Sequence, residues 1–240
     1  MPRFFVDHPL TLDAAFNLPE TVARHVQVLR LQPGESIVLF NGQGGEYNAR
    51  ISLMGKREVG VLVTGHLPVE RESSLRTILL QAVSANERMD FTVQKATELG
   101  VSEIWPFYSQ YSQQRLSGER AERRLAHWQA VAQSACEQSG RTQVPLILPV
   151  GTLESTLAAL PAELLRLVLS LTGTQRLHDL ADVNNGAVLL VGPEGGLTGA
   201  EEIQAQQAGF TGITLGPRIL RTETAGPAVL AVLQARFGDF

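Results

Sequence analysis

Hydrophobic and polar positions change rhythm once along the chain. Up to Leu67, apolar and β-branched runs at Ser36–Phe40, Glu46–Ser52 and Val59–Leu67 are parted by the turns Asn41-Gly42-Gln43-Gly44-Gly45 and Met54-Gly55-Lys56. Short runs with that punctuation predict a small antiparallel barrel or sandwich. A short helix is expected before them, from Leu18 to Leu29. From Leu75 onward, apolar runs alternate with longer amphipathic stretches, the pattern of a mostly parallel sheet covered on both faces. Strands are expected at Thr77–Val83, Glu103–Tyr108, Leu146–Leu148, Arg166–Leu171, Ala187–Gly192 and Gly212–Leu215. A helix over Arg88–Leu99 places Met89, Val93 and Ala96 on one face, displays Gln94, Lys95 and Glu98, and stops at Gly100. A longer helix runs from near Ser117 to near Gly140 and buries Leu125, Trp128, Val131 and Ala135. The polar stretch Glu70-Arg71-Glu72-Ser73-Ser74 is the natural linker, giving an expected division into 1–72 and 73–240.

Composition narrows the functional classes. Hydrophobic residues at 44% and charged residues at 18% suit two packed domains in 240 residues. A single cysteine, Cys136, rules out an intramolecular disulfide framework and a cysteine-only zinc site. His8, His25, His66, His127 and His178 lack metal-ligand spacing, so no metal is expected. No apolar run approaches the ~20 residues needed to span a bilayer, so no membrane partner and a cytoplasmic setting are expected. The net charge of -4 argues against coating nucleic acid by bulk electrostatics. Of the 20 basic Lys and Arg side chains only Lys56 and Lys95 are lysine. Arginine forks suit phosphates and base edges, and a composition bias toward arginine explains the same count.

Two segments carry most of the chemical information. Val188-Leu189-Leu190-Val191 runs into Gly192-Pro193-Glu194-Gly195-Gly196-Leu197, and a helix then opens on the capping box Thr198-x-x-Glu201. A glycine-rich turn at a strand's carboxyl end is where an α/β sheet holds a ligand. A ligand-free tight turn explains this segment equally well. There is no P-loop lysine and no G-x-G-x-x-G spacing. The second segment is Ile213-Thr214-Leu215-Gly216-Pro217-Arg218-Ile219-Leu220-Arg221-Thr222-Glu223-Thr224-Ala225. Capping accounts for its threonines and Glu223, but Arg218 and Arg221 sit at a helix start, where cations are disfavoured unless an anion is bound.

With Gln94-Lys95-Ala96-Thr97-Glu98-Leu99-Gly100-Val101 and Glu137-Gln138-Ser139-Gly140-Arg141, these segments resemble in order the ribosomal RNA uridine-N3 methyltransferase family of the SPOUT superfamily. The resemblance covers nearly the whole chain, including Arg24-His25, Val28-Leu29-Arg30 and Phe40-Asn41-Gly42. It implies an α/β protein with an N-terminal PUA-like β-barrel and a C-terminal SPOUT domain tied in a deep C-terminal trefoil knot. It also implies a homodimer, S-adenosyl-L-methionine (SAM) as cofactor, and small-subunit ribosomal RNA or the assembled small subunit as partner. Periodicity alone suggests an unknotted, doubly wound sheet.

Carried onto this sequence, the resemblance lines a SAM pocket with Leu171-Thr172-Gly173, with Gly192, Pro193, Glu194, Gly195 and Gly196, and with Leu215, Gly216, Ile219, Leu220 and Thr222. Arg218 or Arg221 would stabilise a uridine anion or bind its phosphate. Glu194 or Glu223 would accept the N3 proton or orient an arginine. Arg3, Arg24, His25, Arg30, Lys95 and Arg141 would dock RNA, and the low net charge favours a shaped ribosomal surface over bare RNA. Two positions depart from the family pattern. Ser84-Ala85-Asn86 stands where relatives carry a lysine, and Gly226-Pro227 interrupts the final helix, which is expected to begin near Thr224. Other readings are a SPOUT enzyme with a different RNA target, and an RNA-binding ribosome assembly factor with a vestigial SAM pocket.

Overall fold

The computed structural model describes residues 1–112, 115–170, 173, 175–180, 183 and 185–240. Its contacts divide the chain into two units, Met1–Glu72 with Gln133–Val144, and Ser73–Ala132 with Pro145–Phe240.

The first unit is built on β1 (Arg3–Phe5), β2 (Ala15–Asn17), α1 (Glu20–Val28), β3 (Ser36–Phe40), β4 (Glu46–Met54) and β5 (Val59–Leu67). By hydrogen bonding it holds one five-stranded sheet in the order β1-β3-β4-β5-β2, antiparallel except for the β1–β3 pair. Alternate side chains Ile37 and Leu39, Ala49 and Ile51, and Val59, Val61 and Val63 meet Ala23 and Val26 of α1 in a single core. Period-two alternation sends those positions to one face. The three-residue strands β1 and β2 were not anticipated, since so short a run has no readable period.

The segment Gln133–Val144, assigned by sequence to the second domain, groups with this first unit because its polar groups are taken up there. Glu137 accepts the Phe5 amide at 3.0 Å, and Arg3 donates to the carbonyls of Gly140 and Arg141 at 3.1 and 3.0 Å. The expected linker is tied down. Arg71 pairs with Glu46 at 3.0 Å, and Glu72 accepts from Arg141 and from the Thr142 amide, each at 2.9 Å. Cys136 lies buried here, and burial pushes its thiol up to about 12. A thiol kept protonated is a poor nucleophile. Native protein is therefore expected to resist alkylation at pH 8 and to react after denaturation, with mass spectrometry of the iodoacetamide adduct as the check.

The second unit contains β6 (Thr77–Ala82), α2 (Asn86–Glu98), β7 (Glu103–Tyr108), α3 (Glu119–Ser139, its last turns in the first unit), β8 (Leu146–Ile147), β9 (Gly151–Thr152) and α4 (Leu153–Ala158). It continues with β10 (Leu165–Leu169), β11 (Gln175–Arg176), β12 (Ala187–Val191), α5 (Gly199–Gln207), β13 (Thr211–Thr214) and α6 (Thr222–Phe237). Every pairing is parallel, in the order β11-β13-β10-β12-β6-β7-β8, with β9 beside β7. β6 and β12 are buried along their whole length, as central strands between two helical layers should be. On one side Ile78, Leu80, Phe107, Val188 and Leu190 pack with Leu153 and Leu157 of α4 and Ala205 of α5.

α2 buries Met89, Val93 and Ala96 and ends at Gly100, whose φ of 78° suits glycine. In α3, Trp128 and Ala135 are buried as expected, whereas Leu125 and Val131 are only half-buried. α6 begins at Thr222, two residues before the expected start, so Pro227 falls in its second turn and the Glu223 carbonyl loses its usual intrahelical donor. Among the described residues no helix is long and apolar enough to cross a membrane.

Candidate active site

The carboxyl ends of β10, β12 and β13 open into one cavity of about 760 Å³ in the second unit. β12 lies between β10 and β6, so the chain reverses its direction of winding at this place, where open α/β sheets leave a crevice.

The loop after β12 is shaped by its glycines. A Cβ on Gly192 would lie 3.1 Å from the Gly196 carbonyl carbon and the Leu197 amide nitrogen, so the turn closes on itself with no room for a side chain. Thr198 then caps α5, with both halves of the expected box formed. Glu201 reaches further, accepting the Gln110 amide at 2.8 Å and the Ser109 hydroxyl at 3.1 Å. One buried carboxylate thus fixes the loop after β12 to the end of β7.

At the start of α6, Thr222 is buried and its hydroxyl bonds on both sides. It donates to the Gly192 carbonyl at 2.7 Å and accepts from Gln81 at 3.0 Å. That hydroxyl therefore braces the pocket wall, although sequence placed it among cofactor contacts.

The sequence-derived site residues converge here. Gly192, Pro193, Glu194, Gly195, Gly196, Leu215, Gly216, Ile219, Leu220 and Thr222 all line the cavity, as do Arg218, Arg221 and Glu223. Leu171 and Thr172 lie outside the described residues. Gly173 is not part of the lining and instead packs on β13, where a Cβ would come within 2.8 Å of the Gly212 carbonyl carbon.

Arg88 was missed by sequence reasoning. At the first turn of α2 it donates to Glu194 at 2.8 Å and lies 3.8 Å from Glu223. Its only sequence signal was its place in Glu87-Arg88-Met89-Asp90, beside the Ser84-Ala85-Asn86 departure. Burial would raise the Glu194 pKa, but its own amide, the Ala85 amide and Arg88 outweigh that and hold it below the ordinary carboxylate value. Glu223 keeps one buried oxygen with no hydrogen-bond partner among the described residues. Arg218 and Arg221 are exposed, and neither forms an ion pair among the described residues.

The residues expected to touch RNA separate into two groups. Arg3 and Arg141 are interior ties of the first unit, their side chains 13% and 8% exposed and held by Glu46 and Glu72. Interior guanidiniums held in this way are turned away from any RNA surface. Arg24, paired with Glu20, and His25 and Arg30 are exposed, and Lys95 is half-buried and bound to Glu98 at 2.8 Å.

Three of these carboxylates titrate low, with a consequence for stability. Burial raises Glu46, Glu194 and Glu201, yet donors outweigh it in each and bring the pKa below 4.5. Their stabilisation is complete above 4.5 and is lost as pH falls through each lowered value. Glu137 runs the other way, since burial raises it more than the Phe5 amide, His25 and Arg3 lower it. Glu201→Gln is expected to cost about 1–3 kcal/mol near neutral pH. In melting curves this deficit should shrink as pH falls through the lowered value and wild type also loses the charge; a constant deficit would argue against an ionised Glu201.

Comparisons with known proteins bear on the chain as a whole. The RNA methyltransferase domain profile matches residues 71–234, and the RNA methyltransferase PUA domain profile matches residues 18–63. Ribosomal RNA small subunit methyltransferase E of Buchnera aphidicola is 30% identical over 240 residues, 100% of this chain and 98% of the relative. The chain belongs to this family. The Neisseria gonorrhoeae methyltransferase E, crystallised with bound S-adenosyl methionine, is 43% identical and superposes with a TM-score of 0.97 over 100% of this chain and 99% of its own. A Legionella pneumophila protein in complex with SAM is 35% identical, with a TM-score of 0.95 over 99% and 98%. A PUA-like first domain and a methyltransferase α/β second domain are therefore the architecture of this family member.

Proposed function

We propose that the chain transfers a methyl group from SAM to N3 of a uridine in small-subunit ribosomal RNA, acting in the cytoplasm on the assembled subunit as a homodimer. The observation that carries this reading is the cavity at the ends of β10, β12 and β13, in a fold superposing over its full length on SAM-bound relatives. A volume of about 760 Å³ falls within the range of small-molecule sites. Its composition suits an adenosyl group, with Leu169, Val191, Ile213 and Leu220 as apolar walls and the glycines of both loops leaving backbone groups open to a ligand. SAM, when bound, supplies an activated methyl.

The chain's own residues supply position and charge. Arg221 and Arg218, exposed at the rim without carboxylate partners, stabilise the negative charge that develops on the uracil as N3 loses its proton. Glu223, with an unpartnered buried oxygen, is the proton acceptor of choice. Glu194 already accepts from Arg88 and from two amides. Arg88 orients both carboxylates. Because N3 lies on the Watson–Crick edge, the uridine must be unpaired to reach the pocket. Residues 1–72 form the RNA-binding domain, with Arg24, His25 and Arg30 as contacts, and residues 73–240 form the catalytic one.

We also infer a trefoil knot, which the resemblance to the family implies and with which the insertion of β12 between β10 and β6 is compatible. Purified protein given methyl-labelled SAM and small subunits from cells lacking this gene should place label in N3-methyluridine. Arg221→Ala is expected to lower kcat by about a hundredfold to a thousandfold. Label in a ribose or in guanine would overturn the assignment, and sedimentation as a monomer would overturn the dimer.

A further inference from the structure

A second cavity, of about 250 Å³, lies in the second unit and is lined by Leu116, Arg120, Arg123, Arg124 and His127. Its four basic side chains all come from α3, at spacings of three, one and three residues, which puts them on one helix face. Neighbouring like charges at such spacings cost a helix stability. Only part of that repulsion is relieved from within. Arg123 reaches Glu119 at 3.3 Å across solvent, Arg124 donates to the neutral amide oxygen of Asn86 at 2.6 Å, and His127 meets Asp90 at 2.8 Å. Arg120 is exposed and has no side-chain partner among the described residues.

The position of this cleft matters as much as its charge. Leu116 is pinned to the last residue of β7, its amide donating to the Tyr108 hydroxyl at 2.7 Å while that hydroxyl donates to the Leu116 carbonyl at 3.0 Å. The cleft therefore lies at the carboxyl edge of the sheet, the edge on which the methyl-transfer cavity opens. Asn86 and Asp90, which hold Arg124 and His127, stand two residues either side of Arg88, itself part of the cavity lining. About one turn of α2, roughly 5.4 Å of rise, separates Asn86 from Asp90, so the start of the helix that lends Arg88 to the cavity also holds two side chains of the cleft lining.

We propose that this α3 cleft binds the backbone phosphate of a nucleotide neighbouring the target uridine, in single-stranded substrate RNA. Guanidinium forks match the non-bridging oxygens of a phosphodiester, and such contacts fix register without reading sequence. The inference rests on the reading of the chain as an RNA methyltransferase and adds a docking surface to it. It also supplies cations in place of Arg3 and Arg141, which are spent inside the first unit.

The test compares wild type with Arg120→Ala/Arg123→Ala, and separately with Arg120→Glu, which touches no internal partner. Binding of a short uridine-containing single-stranded RNA is followed by fluorescence anisotropy across a series of salt concentrations, alongside SAM affinity, KM for RNA and sedimentation. The double variant is expected to bind RNA at least about tenfold more weakly. Its log-affinity against log-salt slope should be shallower by about 0.7 for each phosphate that the variant no longer neutralises. SAM affinity and sedimentation should stay as in wild type, and Arg120→Glu should change RNA affinity in the same direction. Unchanged affinity and slope in a wild type that methylates RNA would overturn the cleft and leave the function standing. A change of oligomeric state with RNA affinity intact would show the face to join two copies of the chain, and also overturns it. A wild type that methylates neither this RNA nor small subunits from cells lacking the gene would bring down the functional reading itself.

Discussion

Arg88→Ala should lower kcat/KM for methyl transfer by about tenfold to a hundredfold, since a hydrogen bond to a charged group contributes about 1.5–3 kcal/mol. The guanidinium bonds Glu194 at 2.8 Å and approaches Glu223 at 3.8 Å. Without it, two carboxylates face one cavity with no cation between them, and each is free to turn away. Arg88→Lys should recover part of the rate, because an ammonium restores charge but cannot reach both acids with a planar fork. Steady-state kinetics with small subunits as substrate is the check. Rates in Arg88→Ala equal to wild type would mean that Glu194 and Glu223 are not held for catalysis by this residue.

Gly173→Ala is expected to disable the site indirectly, through the strand behind its lining. Its Cβ would fall 2.8 Å from the carbonyl carbon of Gly212 and 2.9 Å from that of Ile213, backbone atoms of β13 that cannot step aside alone. Overpacking of this kind costs about 1–3 kcal/mol, and the displaced strand leads directly into Leu215 and Gly216 of the cavity. A lower melting temperature together with loss of SAM binding in calorimetry is the expected pair of results. Gly216→Ala is a useful contrast, since no atom lies within 4 Å of its Cβ and only its φ of 104° opposes the change. Equal losses in both variants would point to backbone strain, and not to the close approach of two chain segments.

What the sequence made legible followed from how local each signal is. The box Thr198-x-x-Glu201 is a four-residue code for a helix start, and β3, β5 and β7 have the bounds their apolar runs predict. Both pocket loops were readable because glycine and proline punctuate strand ends. β1 and β2 were not, because three residues carry no period and their pairing is supplied by β3 and β5. Arg88 escaped notice because its partners lie 106 and 135 residues further on. Arg3 and Arg141 looked like RNA ligands because a lone arginine in sequence does not show the carboxylate that will bury it. Thr222 was placed in the right loop, but its bracing of the pocket wall through Gln81 and Gly192 was not read, since both partners are distant in sequence. Distance along the chain, more than residue type, separates what was read from what was not.

The most direct test of the central claim is nucleoside mass spectrometry of small-subunit ribosomal RNA from cells in which this gene is deleted and then restored. N3-methyluridine is expected to disappear on deletion, to return with the wild-type chain, and to stay absent with Arg221→Ala; an unchanged level of N3-methyluridine after deletion would contradict the assignment of uridine N3 as the methyl acceptor.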